Sequence, residues 1–224
     1  MQVVLWDLDG TLADTEAVHF AAWQATMTAL QVDYSYTKFT ESFGRSNREI
    51  LPTLLGQHAT PDQIEAASQQ KEYLYRELLR QQGLQLLPGV LDWLVRFQAA
   101  GLRQVISSSG PMANIVASVE VLDIGDFFAS LMSGARLPEG KPHPEIFLNS
   151  AAAVGVPPTT CLVIEDSLAG IVAARRADMV SVAVGKVIQT PDFQRMLTTQ
   201  AGPTCLPIES LEQLSWEQIS GLSS

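Results

Sequence analysis

Basic residues are scarce in this chain of 224 residues: 14 lysines and arginines stand against 24 aspartates and glutamates, a formal net charge of -10. A phosphate-backbone binder needs a basic footprint, so no nucleic-acid partner is expected. A small anion held by a few local donors is not excluded. Cysteine is nearly absent. Cys161 and Cys205 sit in apolar contexts without metal-ligand spacing and read as buried, reduced thiols. Long hydrophobic runs are missing too. No stretch reaches the roughly 18 apolar residues that a bilayer crossing takes, so no membrane partner is expected. Met1-Gln2-Val3-Val4 leads directly into a strand pattern, and a cytoplasmic enzyme is the default expectation. Apolar residues, by contrast, make up 46% of the chain, ample for a core in one large unit or one carrying an insert.

The chain is organised around Gln2-Val3-Val4-Leu5-Trp6-Asp7-Leu8-Asp9-Gly10-Thr11-Leu12-Ala13-Asp14. An apolar, β-favouring run empties into two carboxylates with a glycine behind them, the pattern of a buried strand ending in a polar loop. Asp7 and Asp9 would share one side of the sheet. Two like charges so close are costly unless a cation or a proton sits between them.

Helical patterns follow over 16–30, 47–55 and 61–82, and no strand is predicted between residues 15 and 83. Thr15 is expected to cap the first helix, and Ser46 with Glu49 reads as a capping box for the second. Residues 34–43 read as a mixed connector. Beyond this block, helices over 90–100, 112–121, 145–154, 168–176 and 210–219 alternate with strands over 103–106, 160–164, 180–184 and 204–206, and a short apolar run lies in 127–133. Alternation of this kind predicts an α/β fold with a mostly parallel sheet covered on both faces. The expected domains are a sandwich of residues 1–14 and 84–224 and an all-helical lid of residues 15–83, hinged near 14–16 and 81–88.

Three strands end in Asp-x-Asp, Ser-Ser-Ser and Glu-Asp-Ser, and polar residues gathered at one sheet edge mark a site. Asp7 can attack a phosphoryl group and form an aspartyl-phosphate. It is a weak nucleophile, so a divalent cation must neutralise the phosphate, and magnesium (Mg2+) suits carboxylates plus phosphate oxygens. Asp9 would protonate the leaving oxygen and later activate water, its pKa lifted by the neighbouring negative charge. Asp166 is the natural second metal carboxylate, with Glu165 beside it as a further ligand or through water; both could instead open the next helix. The Ser107 hydroxyl and the following amides could hold phosphate oxygens, with Ser108 a weaker candidate. Lys141, between Gly140 and Pro142, is either a surface loop residue or a fixed positive charge for the transition state. His19 is either a packed hinge residue or a proton carrier. Arg45 and Arg48 could meet the distal part of an anionic substrate or simply face solvent, and Lys71, Arg76 and Arg80 share that ambiguity.

Together the motifs resemble the haloacid dehalogenase-like hydrolase superfamily over nearly the whole chain. Asp7-Leu8-Asp9-Gly10-Thr11-Leu12-Ala13-Asp14, Ser107 after Val105-Ile106, Lys141-Pro142-His143-Pro144-Glu145-Ile146-Phe147 and Glu165-Asp166-Ser167-Leu168-Ala169-Gly170-Ile171 are similar to its four motifs in order. The helical insert resembles the cap of the subfamily that includes phosphoglycolate phosphatase, sugar-phosphate phosphatases and β-phosphoglucomutase. The resemblance implies a Rossmann-like three-layer sandwich, Asp7 as nucleophile, and Asp9 as acid/base. It also implies magnesium on the Asp7 carboxylate, the Asp9 main-chain carbonyl and Asp166, with Glu165 supporting. A phosphatase acting on a small phosphorylated metabolite, working as a monomer, is the resulting expectation; a sugar-phosphate mutase is the alternative, and a non-catalytic scaffold domain a lesser one. His19 resembles a hinge histidine that assists proton control. The mutases typically carry a lysine before the cap glycine and an arginine three residues after it, and here Phe43 and Asn47 stand in those places.

Overall fold

Val3-Val4-Leu5-Trp6 forms a strand with all four side chains buried, as a central strand covered on both faces requires. The computed structural model describes residues 1–42, 46–56, 58–199 and 202–222. From β1 (Val3–Trp6) the chain runs through four consecutive helices, α1 (Glu16–Ala29), α2 (Tyr36–Ser42), α3 (Asn47–Leu55) and α4 (Pro61–Gln82). It returns through α5 (Val90–Ala99), β2 (Arg103–Ser108), α6 (Met112–Leu122), β3 (Ser130–Ser133), α7 (Glu145–Ala153) and β4 (Cys161–Glu165). It closes with α8 (Leu168–Arg176), β5 (Val180–Val184), α9 (Pro191–Thr199), β6 (Cys205–Ile208) and α10 (Trp216–Gly221).

The strands form one parallel sheet in the order β3-β2-β1-β4-β5-β6. Side chains alternate across it with the two-residue period of a strand. Val4 and Trp6 join Trp93, Phe97 and Ile106 in the core on one face; Val3 and Leu5 join Phe147, Val163 and Ala173 on the other. The chain builds outward from β1 first toward β3 and then, from β4, toward β6. The crevice beyond the ends of β1 and β4 is therefore the place where strand order reverses, where ligands of open α/β sheets bind.

The helical block between β1 and α5 has its own core of Trp23, Met27, Tyr34, Phe39, Ile50, Leu51 and Ala67. A second apolar seam, Val18, Ala22, Tyr75 and Leu79 against Ala117 of α6, seats it on the sheet unit. Its two connections run side by side: the Leu87 N–H donates to the Leu12 carbonyl at 3.0 Å, and Ala13 bridges Leu86. Among the described residues no helix is long and apolar enough to cross a membrane.

Several local expectations change. Residues 34–43 are not only connector, because α2 forms there around buried Phe39. Helix α9 occupies a stretch with no assignment from sequence, and buries Phe193 and Met196. The helix expected over 210–219 is split into a tight turn, Leu211–Gln213, and α10. Ser215 starts α10 with a capping box to Gln218. Neither Thr15 nor Ser46 caps with its side chain; the capping box of the helical block is Thr60 with Gln63. Strand β2 extends into its serines, which still pair with Met132 and Ser133 of β3.

One buried polar link ties the sheet to α5. The Trp6 indole N–H donates to Gln104 Oε1 at 3.0 Å, and Gln104 Nε2 donates to the Leu94 carbonyl at 2.9 Å. Gln104→Leu strands the indole N–H and is expected to lower unfolding stability by about 1–3 kcal/mol, read from urea denaturation. An unchanged midpoint would show that the link is not needed.

Candidate active site

The ladder carries Asp7 to the sheet edge, where its N–H donates to the Ile164 carbonyl at 3.0 Å. It therefore stands beside the end of β4. Lys141 enters from the loop between β3 and α7, with a side chain only 7% exposed. Its ammonium donates to Asp7 Oδ1 at 2.5 Å, Glu165 Oε1 at 2.7 Å and the Ser107 carbonyl at 3.1 Å. All three of its protons are used, so the surface-loop reading of Lys141 does not hold. Burial works to lower its pKa, but Asp7 and Glu165 outweigh that and keep it charged.

Asp7, Glu165 and Asp166 each offer an oxygen within 4.8 Å of the others. Burial pushes the Asp7 carboxyl well up; Lys141 opposes this, and Glu165, Asp166 and Asp9 add to it. Burial, with Glu165 next, likewise lifts Asp166 to about 8. Asp7, Glu165 and Asp166 thus share one ammonium, that of Lys141. An all-oxygen set with excess negative charge fits a hard divalent cation such as magnesium. Gly10 lets Asp166 approach: its φ is +84°, and a Cβ there would lie 2.1 Å from Asp166 Oδ2. Thr11 donates its hydroxyl to Asp166 Oδ1 at 3.4 Å. Glu165 is more heavily engaged than the ligand expectation for it assumed. Its Oε1 accepts from Lys141, and its Oε2 accepts from the Ser167 N–H and hydroxyl at 2.7 and 2.8 Å.

Asp9 is served by a separate set of groups. Its Oδ1 accepts from the Thr15 hydroxyl at 2.7 Å and lies 3.3 Å from His19 Nε2. His19 Nδ1 lies 3.0 Å from Lys71 Nζ. An ammonium can only donate, so Nδ1 accepts and the ring proton sits on Nε2, aimed at Asp9. The ring stacks on Tyr75 with centroids 4.1 Å apart. Burial, then the Lys71 charge, lowers the His19 pKa and keeps the ring neutral. For Asp9, burial works upward, but the His19 and Thr15 hydrogen bonds, with the Lys71 charge, bring its pKa to about 2. The expected rise is therefore reversed.

Lys71 is 3% exposed and lies 5.4 Å from the ring centroids of both Trp23 and Tyr75. It pairs with Glu72 at 3.0 Å, so its solvent-facing reading fails. Ser107 is fully buried and its hydroxyl pairs with Ser150 Oγ at 2.7 Å; what it gives Lys141 is its carbonyl. The Ser108 hydroxyl accepts the Gly110 N–H at 3.0 Å and shapes the turn before α6. Arg48 is exposed on α3. Arg45, with Phe43 and Gly44, lies outside the described residues. A cavity of about 320 Å³ is lined by Gly10, Thr11, Asp166 and Lys186 among others, but by neither Asp7 nor Asp9.

As residues of the site, Thr15, Glu72 and Asn114 were not read from the sequence, which offered Thr15 only as a helix cap. A signal for the Lys71 environment was present: Ala67, Lys71, Tyr75 and Leu79 recur every four residues on α4, and all are buried. A lysine within an apolar stripe marks a buried charge that must have partners.

The haloacid dehalogenase-like hydrolase family matches residues 1–178, and the chain belongs to that family. Hexitol phosphatase B of Escherichia coli (strain K12) is 31% identical over 192 residues, 80% of this chain and 82% of its own length. β-Phosphoglucomutase of Bacillus subtilis (strain 168) is 31% identical over 193 residues, 83% of this chain and 84% of its own. The crystal structure of β-phosphoglucomutase from Clostridium difficile superposes with a TM-score of 0.84 at 26% identity, covering 100% of this chain and 97% of that one. The chain is thus an enzyme of the family branch that holds phosphatases and sugar-phosphate mutases.

Asp166 generates a pH prediction. Its pKa is near 8 when folded, against 3.8 as the ordinary value, so the folded state binds the extra proton between these limits. Its contribution is lost as pH rises through that window. With chelator present, Asp166→Asn is expected to raise the Tm at about pH 8.5 while changing it little at about pH 4. The same Tm difference at both values would contradict the shift.

Proposed function

We propose that the protein is a magnesium-dependent phosphomonoesterase acting on a small phosphorylated metabolite, a sugar phosphate or a phosphoglycolate-like ester, through an aspartyl-phosphate on Asp7. The observation that carries this reading is the grip of buried Lys141 on Asp7 and Glu165, beside Asp166. In this reading residues 1–14 and 84–224 are the catalytic core and residues 15–83 the cap. In this reading the enzyme works as a monomer.

Asp7 attacks phosphorus, forming an Asp7 oxygen–phosphorus bond as the ester oxygen departs. Asp9 gives that oxygen a proton. Asp9 is ionised as it stands, so it must first take a proton, which a substrate arriving as its monoanion carries. Ionised again, Asp9 removes a proton from water, and the water oxygen displaces Asp7. Lys141 offsets the negative charge of Asp7 and of the transferring group throughout. The Asp7 carboxylate, the Asp9 main-chain carbonyl and Asp166 would hold magnesium, which would supply further positive charge to the phosphoryl oxygens. The helical cap excludes bulk water.

Hydrolysis is favoured over mutase chemistry by Asn47. The mutase pattern has an arginine at this position. Here the Asn47 amide donates to Ser68 at 2.9 Å and Glu72 at 2.7 Å, so it packs the cap and offers no charge to a second phosphate.

The test is phosphate release from a panel of phosphorylated metabolites with magnesium. The panel includes β-glucose 1-phosphate with a trace of glucose 1,6-bisphosphate. Phosphate release that falls by about 10³-fold or more in Asp7→Asn is expected. Glucose 6-phosphate without phosphate release would instead mark a mutase, and turnover surviving in Asp7→Asn would refute covalent catalysis by Asp7.

A further inference from the structure

The groups behind Asp9 do not end at Lys71. Glu72 is 7% exposed, and both its oxygens are engaged. Oε1 accepts from Lys71 Nζ at 3.0 Å and Asn47 Nδ2 at 2.7 Å. Oε2 accepts from the side-chain amide of Asn114. Asn114 belongs to α6, on the sheet unit, and is 4% exposed. Its amide oxygen accepts from Arg76 Nη1 at 3.0 Å. One asparagine on the sheet unit therefore engages an acid and a base one helical turn apart on α4. A second rung, Tyr75 OH to Ser118 Oγ at 3.3 Å, joins the same two helices. Tyr75 is also the ring on which His19 stacks.

The arrangement is unusual in what it does with charge. Burying a lysine between two aromatic rings demands a counter-charge, and Glu72 supplies it. Without that carboxylate the ammonium would have to move away from His19 toward another counter-charge or solvent. That removes the donor that fixes the His19 tautomer, and with it the hydrogen bond to Asp9. Glu72 itself is held from the sheet unit by Asn114. The seam between cap and sheet thus reaches the acid/base residue through four consecutive polar contacts.

We propose that Glu72 and Asn114 are positioning residues of the acid/base arm: seated across the α4–α6 seam, they hold Lys71, and through it His19, in register with Asp9. This rests on the phosphomonoesterase reading above. It makes seating of the cap and alignment of Asp9 a single event. Neither residue touches the phosphoryl group.

The test uses the full chain with magnesium and a series of substituted phenyl phosphates, from p-nitrophenyl phosphate to phenyl phosphate. Nitrophenolate departs without a proton, whereas phenolate needs one. Glu72→Gln should lower kcat/KM about tenfold or more for phenyl phosphate but less than about threefold for p-nitrophenyl phosphate. Asn114→Ala, which leaves the Lys71–Glu72 pair intact, should show the same tilt. The double variant should be no worse than the poorer single variant, because both act through one chain of contacts. Equal losses on both esters in variants that keep the wild-type circular dichroism would overturn the proposal. If Glu72→Gln does not fold, Asn114→Ala decides alone. A wild-type protein inert both toward these esters and toward the metabolite panel above would refute the phosphomonoesterase reading, and the arm with it.

Discussion

Three carboxylates, Asp7, Glu165 and Asp166, share the open end of one parallel sheet with Lys141, and the molecule is built around holding them there. The register of β1 against β4 sets Asp7 beside Glu165 and Asp166. Glycines make the approach possible: a Cβ at Gly10 would meet Asp166 Oδ2 at 2.1 Å, and one at Gly170 would meet Glu165 Oε1 at 1.8 Å. Burial removes the water that would otherwise screen the repulsion. Burial first, and then the neighbouring carboxylates, raise the pKa values of Asp7 and Asp166. A scaffold selected for stability alone would not keep such a group; sites that work against folding are where function is expected.

The two basic groups divide the work. Lys141 serves Asp7 and Glu165 directly. Lys71 reaches Asp9 only through His19. The consequence is a separation of environments: Asp7 and Asp166 are pushed toward the protonated form, while Asp9 is drawn down. In the proposed mechanism the helical block therefore takes part in the chemistry, because His19, Lys71 and Glu72 all lie on its helices.

Much of this was legible in the sequence because strand ends concentrate it. Strand β5 and helices α3, α4 and α8 match their sequence-read bounds residue for residue. The motif residues Asp7, Lys141, Glu165 and Asp166 converge as their positions after strands and in a Gly/Pro loop suggested. Short elements with a single buried anchor were not legible: α2 buries only Phe39, too little for a period to show. The split of 210–219 was written in the Ser215–Gln218 capping box, three residues apart and easily absorbed into a longer helix. Rotamer choices were beyond reach as well. Nothing in the run Ser107-Ser108-Ser109 says that the first hydroxyl turns to Ser150. The arm behind Asp9 depends on packing between α1, α4 and α6, and its residues are far apart in sequence. Only the position of Lys71 on an apolar stripe hinted at it.

The most direct measurement is acid quenching within the first turnover, in the presence of magnesium and a phosphomonoester that the enzyme hydrolyses, followed by peptide mass spectrometry. A phosphoryl adduct on the peptide containing Asp7, localised to that carboxylate and lost on chase with water, is the expected result. A phosphoryl group found on a different side chain, or phosphate released within one turnover with no covalent adduct at any quench time, would contradict it.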